Sequence, residues 1–292
     1  MTDRQARDLP LDGHLHTDLS PDSDVPIDAF AAAALERGIA ELAITDHVDF
    51  EPGAPAFGYA TFADRERVVR DAAERWGPQG VAIRFGVELT YDRTWESDIR
   101  DHLARHAYDF TIGSVHDRLH SPYQASRVRA WVAGRSLAEI VEPSFVEVEA
   151  AARSGLFDAL GHLDVVKRYL HPHVSTADLA AAPELYEPIL RALVESGTAL
   201  EINTSGLRHP VAETYPSAAV VARFRSLGGR AVTIGSDAHR RDQFGWGLRD
   251  GYDEAAAAGF EALSFRRGGG RVSVPIPIAI SPGPNGPHGR SL

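Results

Sequence analysis

The residues best suited to chemistry begin at Asp12-Gly13-His14-Leu15-His16, directly after the short apolar lead Leu9-Pro10-Leu11. Residues two apart on a β-strand point to the same side, so a strand here aims both imidazoles one way. Neutral imidazole is the commonest metal ligand, and two on one face make half of a site. His, Asp and Glu then recur at the ends of nearly every later apolar run: Thr45-Asp46-His47, Gly86-Val87-Glu88, Ser114-Val115-His116, Gly161-His162-Leu163-Asp164 and Gly235-Ser236-Asp237-Ala238-His239. With Asp22 from the loop after the first run, the candidate ligands are His14, His16, Asp22, His47, Glu88, His116, His162, Asp237 and His239. Each alone reads equally well as a hydrogen-bonded core histidine or a strand-end charge. Their repetition at the same end of successive apolar runs points instead to one metal-dependent site.

The elements that must position these residues follow from periodicity. Ile27, Phe30, Ala31, Ala34 and Leu35 mark an amphipathic helix that Gly38 should stop. Strands are expected at 39–45, 81–88, 109–115, 156–160, 198–203 and 230–234, with a short one at 262–265. Helices are expected near 64–76, 97–106, 137–152, 217–227 and 253–258, and another ending at Ser196. Val48–Thr61, 117–135 and Val165–Thr176 read as loops, the first of them a functional lid carrying Phe50, Phe57 and Tyr59. Alternating strands and helices call for parallel strands with crossover helices, and chemistry gathered at the strands' carboxyl ends fits an α/β barrel. An open doubly wound sheet is the competing architecture, but no glycine-rich phosphate loop follows the first strand. No linker divides the chain, so one domain is expected over residues 9–265. A Gly/Pro-rich tail over 266–292 is expected to be partly disordered, past about residue 280 above all.

Composition narrows the partners. The formal net charge of −11 argues against a nucleic-acid backbone or an anionic membrane surface. There are no cysteines, which excludes thiolate nucleophiles and sulfur-ligated metals. No apolar run reaches membrane-span length and residues 1–8 do not read as a secretory signal, so a cytoplasmic protein is expected.

Taken together, these motifs resemble those of the polymerase-and-histidinol-phosphatase (PHP) superfamily over residues 10 to 265. Gly161-His162-Leu163-Asp164-Val165-Val166-Lys167-Arg168-Tyr169 and Glu201-Ile202-Asn203-Thr204-Ser205-Gly206-Leu207-Arg208 are similar to its histidinol-phosphatase branch. The resemblance implies a distorted (β/α)7 barrel holding two to three divalent ions, with zinc, manganese and iron all open. It implies a first ion on His14, His16, Glu88 and Asp237. A second would share Glu88 and add His116 and His162. A third would lie on His47 and His239, with Asp22 standing where many members carry histidine. An aspartate there would favour harder metals.

What the resemblance implies for function is a metal-dependent phosphomonoesterase acting on L-histidinol phosphate in histidine biosynthesis. Three divalent ions bring about six positive charges, of which Asp22, Glu88 and Asp237 offset about half, leaving an excess that suits a phosphate dianion. Glu88 and Asp237 would be central to catalysis. Arg168 and Arg208 are expected to clamp phosphoryl oxygens. Asp164 is expected as general acid or as support for a histidine ligand. The alternatives are a PHP phosphoesterase for a sugar or nucleotide phosphate, a metal-dependent amidohydrolase, and a non-catalytic metal-binding module. The amidohydrolase reading is weakened because the apolar strands carry no lysine to bridge metals.

Overall fold

A computed structural model of the chain describes residues 9–116 and 121–277. The expected disorder past residue 280 falls outside the described residues. In chain order, β1 (Asp12–Leu15) leads to α1 (Ile27–Arg37), then to β2 (Glu41–Ile44) and the two-residue β3 (His47–Val48). Next come α2 (Phe62–Trp76), β4 (Ala82–Thr90), α3 (Glu96–Arg105) and β5 (Phe110–Ser114). The short α4 (Val128–Val132) and long α5 (Leu137–Ser154) precede β6 (Ala159–Leu160). Then follow α6 (Val166–Leu170), α7 (Thr176–Ala180), α8 (Glu187–Ser196), β7 (Ala199–Asn203), α9 (Ala218–Ser226), β8 (Val232–Gly235) and α10 (Leu248–Ala257). Strands β9 (Ala262–Arg267) and β10 (Gly270–Pro275) end the fold.

The strands β1-β2-β4-β5-β6-β7-β8 lie side by side, all parallel, with β3 extending the pairing on β4. The ends meet where the His16 amide donates to the Ala238 carbonyl (3.0 Å) and the Asp237 amide to the His14 carbonyl (2.9 Å). That contact makes a nearly closed seven-stranded barrel in a single domain. The helices bury most of the faces their spacing predicts: Phe30, Ala31 and Ala34 of α1, although its Leu35 is 52 % exposed; Val141, Phe145, Val148 and Ala152 of α5; Ile189, Leu190 and Leu193 of α8. Burying each large side chain is worth roughly 1.5–3 kcal/mol. Helix boundaries follow capping chemistry. Gly38 takes a left-handed conformation at φ 68° to end α1, and Ser136 and Glu139 form a reciprocal capping box for α5.

Four expectations need correction. The stretch 117–135 is not all loop, since α4 (Val128–Val132) lies in it. The stretch 165–176 is no plain loop: α6 and the start of α7 lie in it, both too short to show a helical period. Helix α10 begins at Leu248 rather than near 253, because Gly251 within it breaks the apolar pattern. The structured part does not stop at Phe265. β9 and β10 form an antiparallel hairpin through Pro275, turned by Gly268 and Gly269 at φ 56° and 79°. Two successive positive φ values are what a two-residue hairpin turn demands, so these glycines mark a turn and not disorder.

Candidate metal centre

The barrel gathers the predicted ligands at its carboxyl-terminal mouth, most of them at or just past the end of a strand and Asp22 in the loop after β1. His14 is the third residue of β1 and His16 follows its end, so both rings point into the barrel mouth, fully buried. His47 begins β3 and lies in register with Glu88 of β4. His116 follows β5, His162 follows β6, and Asp237 and His239 follow β8. Among the described residues, His162 and Asp237 are two of three non-glycine residues at positive φ, 23° and 52°. Such conformations cost on the order of 1–3 kcal/mol and persist only when neighbours over-determine them. Here the His162 amide is held by Glu201 Oε2 (2.8 Å) and the Asp237 amide by the His14 carbonyl.

The side chains converge on Glu88, whose side chain is 1 % exposed. Its Oε1 lies 2.7 Å from His162 Nε2 and 3.2 Å from His116 Nε2. Its Oε2 lies 2.9 Å from His47 Nδ1 and 3.4 Å from both His14 Nε2 and His16 Nε2. Despite these neighbours, Oε2 has no hydrogen-bond partner of acceptable geometry. His14 Nε2 and His16 Nε2 are 3.0 Å apart, and Asp237 Oδ1 sits 3.9 and 3.5 Å from them. Further out, Asp22 Oδ2 is 3.3 Å from His47 Nε2 and 3.2 Å from His239 Nε2. Bonds of 2.0–2.2 Å to a tetrahedral ion put ligand atoms about 3.3 Å apart, which matches this spacing. A buried carboxylate oxygen crowded by imidazole nitrogens yet left without a hydrogen bond is the kind of donor a divalent cation needs, and the residues fit that group.

The electrostatics agree. Burial opposes charge on His14, but Glu201, Glu88 and Asp237 outweigh it and hold its pKa well above the usual value. Burial likewise opposes charge on His47, yet Glu88 and Asp22 push it up to about 10. His16 goes the other way, held well below its usual value by burial and by the neighbouring His239 and His47. Glu88 would be raised by its burial, but His47, His116 and His14 depress it well below the usual range. The carboxylates thus draw positive charge onto His14 and His47 while the crowding of rings keeps it off His16. A divalent ion meets that demand for positive charge where a proton cannot.

Four overlapping groups can each hold an ion: His14, Glu88 and His162; His14, His16 and Asp237; His47, Glu88 and His116; and His16, Asp22, His47 and His239. The three-ion scheme expected from the sequence kept His162 with His116, and His16 away from Asp22. In the structure His162 also shares Glu88 with His14, and the His16 ring stacks between His47 (4.2 Å) and His239 (4.1 Å).

Above the cluster opens a cavity of about 370 Å³, lined by Asp22, His47, Phe50, Glu51, Glu88, Asp92, Trp95, His116, His162, Arg168, Tyr169, Asp237 and His239 among others. Arg168 stands in its wall. Arg208 differs from the expected clamp: its two terminal nitrogens donate to the Ser236 and Asp237 carbonyls, each at 2.7 Å. It holds the loop that carries Asp237. Asp164 does not line the cavity. It is fully buried, 3.1 Å from Lys167 Nζ, and accepts the Tyr186 hydroxyl at 3.0 Å. Of the aromatic residues in the loop at 48–61, Phe50 reaches the cavity while Phe57 and Tyr59 are half exposed.

Sequence reasoning passed over Glu201 and Asn203. Glu201, fully buried, accepts from His14 Nδ1 at 2.7 Å and also binds the His162 amide. Asn203 Nδ2 donates to Glu201 Oε2 (3.1 Å) and Asp237 Oδ2 (3.2 Å). An acceptor on Nδ1 leaves the Nε2 lone pair of His14 free for a metal. The signal was present: Glu201 and Asn203 are two apart on β7, the same inward spacing that singled out His14 and His16.

Comparisons with known proteins agree with the geometry. Residues 12–205 match the PHP domain family. A "Probable histidinol-phosphatase" of Deinococcus radiodurans is 30% identical over 257 residues, covering 87% of this chain and 96% of that protein. A "Histidinol-phosphatase" of Lactococcus lactis subsp. lactis is 28% identical over 235 residues, 78% of this chain and 84% of its own length. Among solved structures, histidinol phosphate phosphatase from Lactococcus lactis subsp. lactis, complexed with zinc, L-histidinol and phosphate, superposes with a TM-score of 0.78. That match has 24% identity and covers 90% of this chain and 98% of the other, a likeness of fold. With a family match over more than half its length and a nearly closed parallel barrel whose strand ends converge on one metal-ligating cluster, this chain belongs to the PHP domain family.

Proposed function

We propose that this protein is a metallophosphatase that hydrolyses L-histidinol phosphate to L-histidinol and phosphate, and that it works in the cytoplasm. The observation that carries the reading is a cavity with two chemistries. Its floor is the ligand cluster with Arg168 in the adjoining wall, and the rest of its lining includes Phe50, Glu51, Asp92, Trp95 and Tyr169. The substrate has the same two ends, a phosphate dianion and a cationic amine with an imidazole. Two proteins named as histidinol-phosphatases share 28–30% of their sequence with this chain, which supports the assignment.

In this reading His14, His16, Glu88, His116, His162 and Asp237, with Asp22, His47 and His239, hold two to three divalent ions. Such ions supply charge to polarise the phosphoryl oxygens and lower the pKa of water. The chain's own groups do the rest. Arg168 binds phosphoryl oxygens through its planar guanidinium. Arg208 fixes the backbone of Asp237, and Glu201 fixes the tautomer of His14. Glu51, Asp92, Trp95 and Tyr169 attract the ammonium end and keep it away from the positive floor. The acidic-aromatic pair Glu213 and Tyr215 is engaged elsewhere, Glu213 with Lys167 and Tyr215 inside the core.

A side-by-side kinetic screen on metal-loaded protein tests the proposal. Histidinol phosphate is expected to exceed simple sugar phosphates and nucleotides in kcat/KM by at least about tenfold, roughly 1.4 kcal/mol of transition-state binding. Equal or better turnover of a sugar phosphate or nucleotide would overturn the assignment.

A further inference from the structure

Behind the cavity, Lys167 of α6 is 2 % exposed. A buried ammonium is expensive to desolvate and persists only with its donors satisfied. Its Nζ lies 3.1 Å from Asp164 Oδ2, 3.2 Å from Glu213 Oε1 and 2.9 Å from the Thr214 carbonyl oxygen, and 5.2 Å from the centre of the Tyr215 ring. Asp164 is itself held by the hydroxyl of Tyr186, the residue just before α8. The segment Lys167 grips is pressed against the loop after β7. A Cβ on Gly206 would fall 2.0 Å from the Glu213 carbonyl oxygen, so only glycine lets the two backbones approach this closely. Tyr215 and Asn203 exchange both backbone hydrogen bonds, 3.0 and 2.9 Å. The Asn203 side chain in turn holds Glu201 and Asp237.

The geometry points to Lys167 as a positioning residue that ties the two sides of the site together. On one side it sits beside Arg168, which the same short helix presents to the cavity. On the other it anchors Thr214-Tyr215 and, through Asn203, the carboxylates of Asp237 and Glu201. Its replacement therefore displaces the donor set around Asp237 without removing any ligand. A purely structural ion pair would stabilise the fold and leave that donor set alone.

The effect on turnover rests on the proposed phosphatase reading, whereas the effect on the metal site does not. K167M and the double variant D164N/K167M are compared with wild type, each loaded with cobalt. Three quantities are read: melting temperature, the visible absorption spectrum of the cobalt, and kcat and KM for histidinol phosphate. K167M leaves Asp164 buried without its counter-charge and is expected to melt lower. The double variant takes out both charges and is expected to recover most of that loss. Both are expected to show an altered cobalt spectrum at full metal content, and a kcat at least tenfold below wild type. A double variant with the wild-type spectrum and kcat within twofold of wild type would overturn the proposal, as would one that fails to fold. If wild type releases no phosphate from histidinol phosphate, the phosphatase reading fails, and the cobalt spectra alone decide the role of Lys167.

Discussion

The ligand cluster has an inner half and an outer half, and they are built differently. The inner half, His14, Glu88 and His162, has side chains no more than 4 % exposed. Each is fixed by the barrel itself: His14 and Glu88 lie within strands, and Glu201 reaches across from β7 to both His14 and the His162 backbone. The outer half rests on loops. Asp22 is 48 % exposed and His239 25 %, and His47 occupies a two-residue strand at 13 %. His16 touches both halves. The inner site is preorganised, so ordering its ligands adds little to the cost of binding an ion. The outer site must order an exposed aspartate, and water competes there for the same ligands. This difference predicts that an inner ion would be held tightly and an outer one would exchange.

The comparison breaks most sharply at Glu88, which serves both halves. E88Q keeps the shape but removes the charge that faces five imidazoles. It is expected to lower turnover by at least about 100-fold, beyond the 10–100-fold typical for partners of ligands, and to lose at least one ion. Kinetics with elemental analysis check this, and normal turnover at full stoichiometry would place the centre elsewhere. A smaller effect, confined to the inner half, is expected from E201Q. With His14 Nδ1 no longer facing a carboxylate, metal affinity or activity should fall roughly 10–100-fold. Chelator titration should find the weakened ion to be the inner, slowly exchanging one; loss of the fast-exchanging ion instead would invert the comparison. The smallest effect is expected from D22A. It should weaken only the ion at His47 and His239, about tenfold, and leave inner occupancy unchanged. Full stoichiometry at limiting metal would make Asp22 an ordinary loop residue.

These halves were unequally legible. His14, His16 and Glu88 announced themselves because strand periodicity and apolar flanks are local properties, and a ligand at a strand's end keeps its sequence signature. Glu201 and Asn203 carried the same period-two signature. They were passed over because they sit outside the expected ligand pattern, and their role exists only once β7 lies beside β6 and β8. Arg208 looked like a clamp because a lone arginine near a motif gives no direction for its side chain. Only the fold turned it onto the Ser236 and Asp237 carbonyls. Asp164 and Lys167 gave no hint that they would be buried against each other, since α6 is too short to show a helical period.

What the sequence determined by itself was the alternation of strands and helices, the barrel that alternation requires, and the identities of the groups at its mouth. Periodicity, capping residues and strand-end motifs act over a few residues, so they survive in one dimension. What only the tertiary structure decided was which candidate ligands lie close enough to share an ion, which carboxylate orients which imidazole, and which arginine faces the cavity. Those are distances between strand ends far apart in the chain. They are set by the closure of β1 against the segment after β8, where Asp237 and His14 meet across more than two hundred residues of sequence.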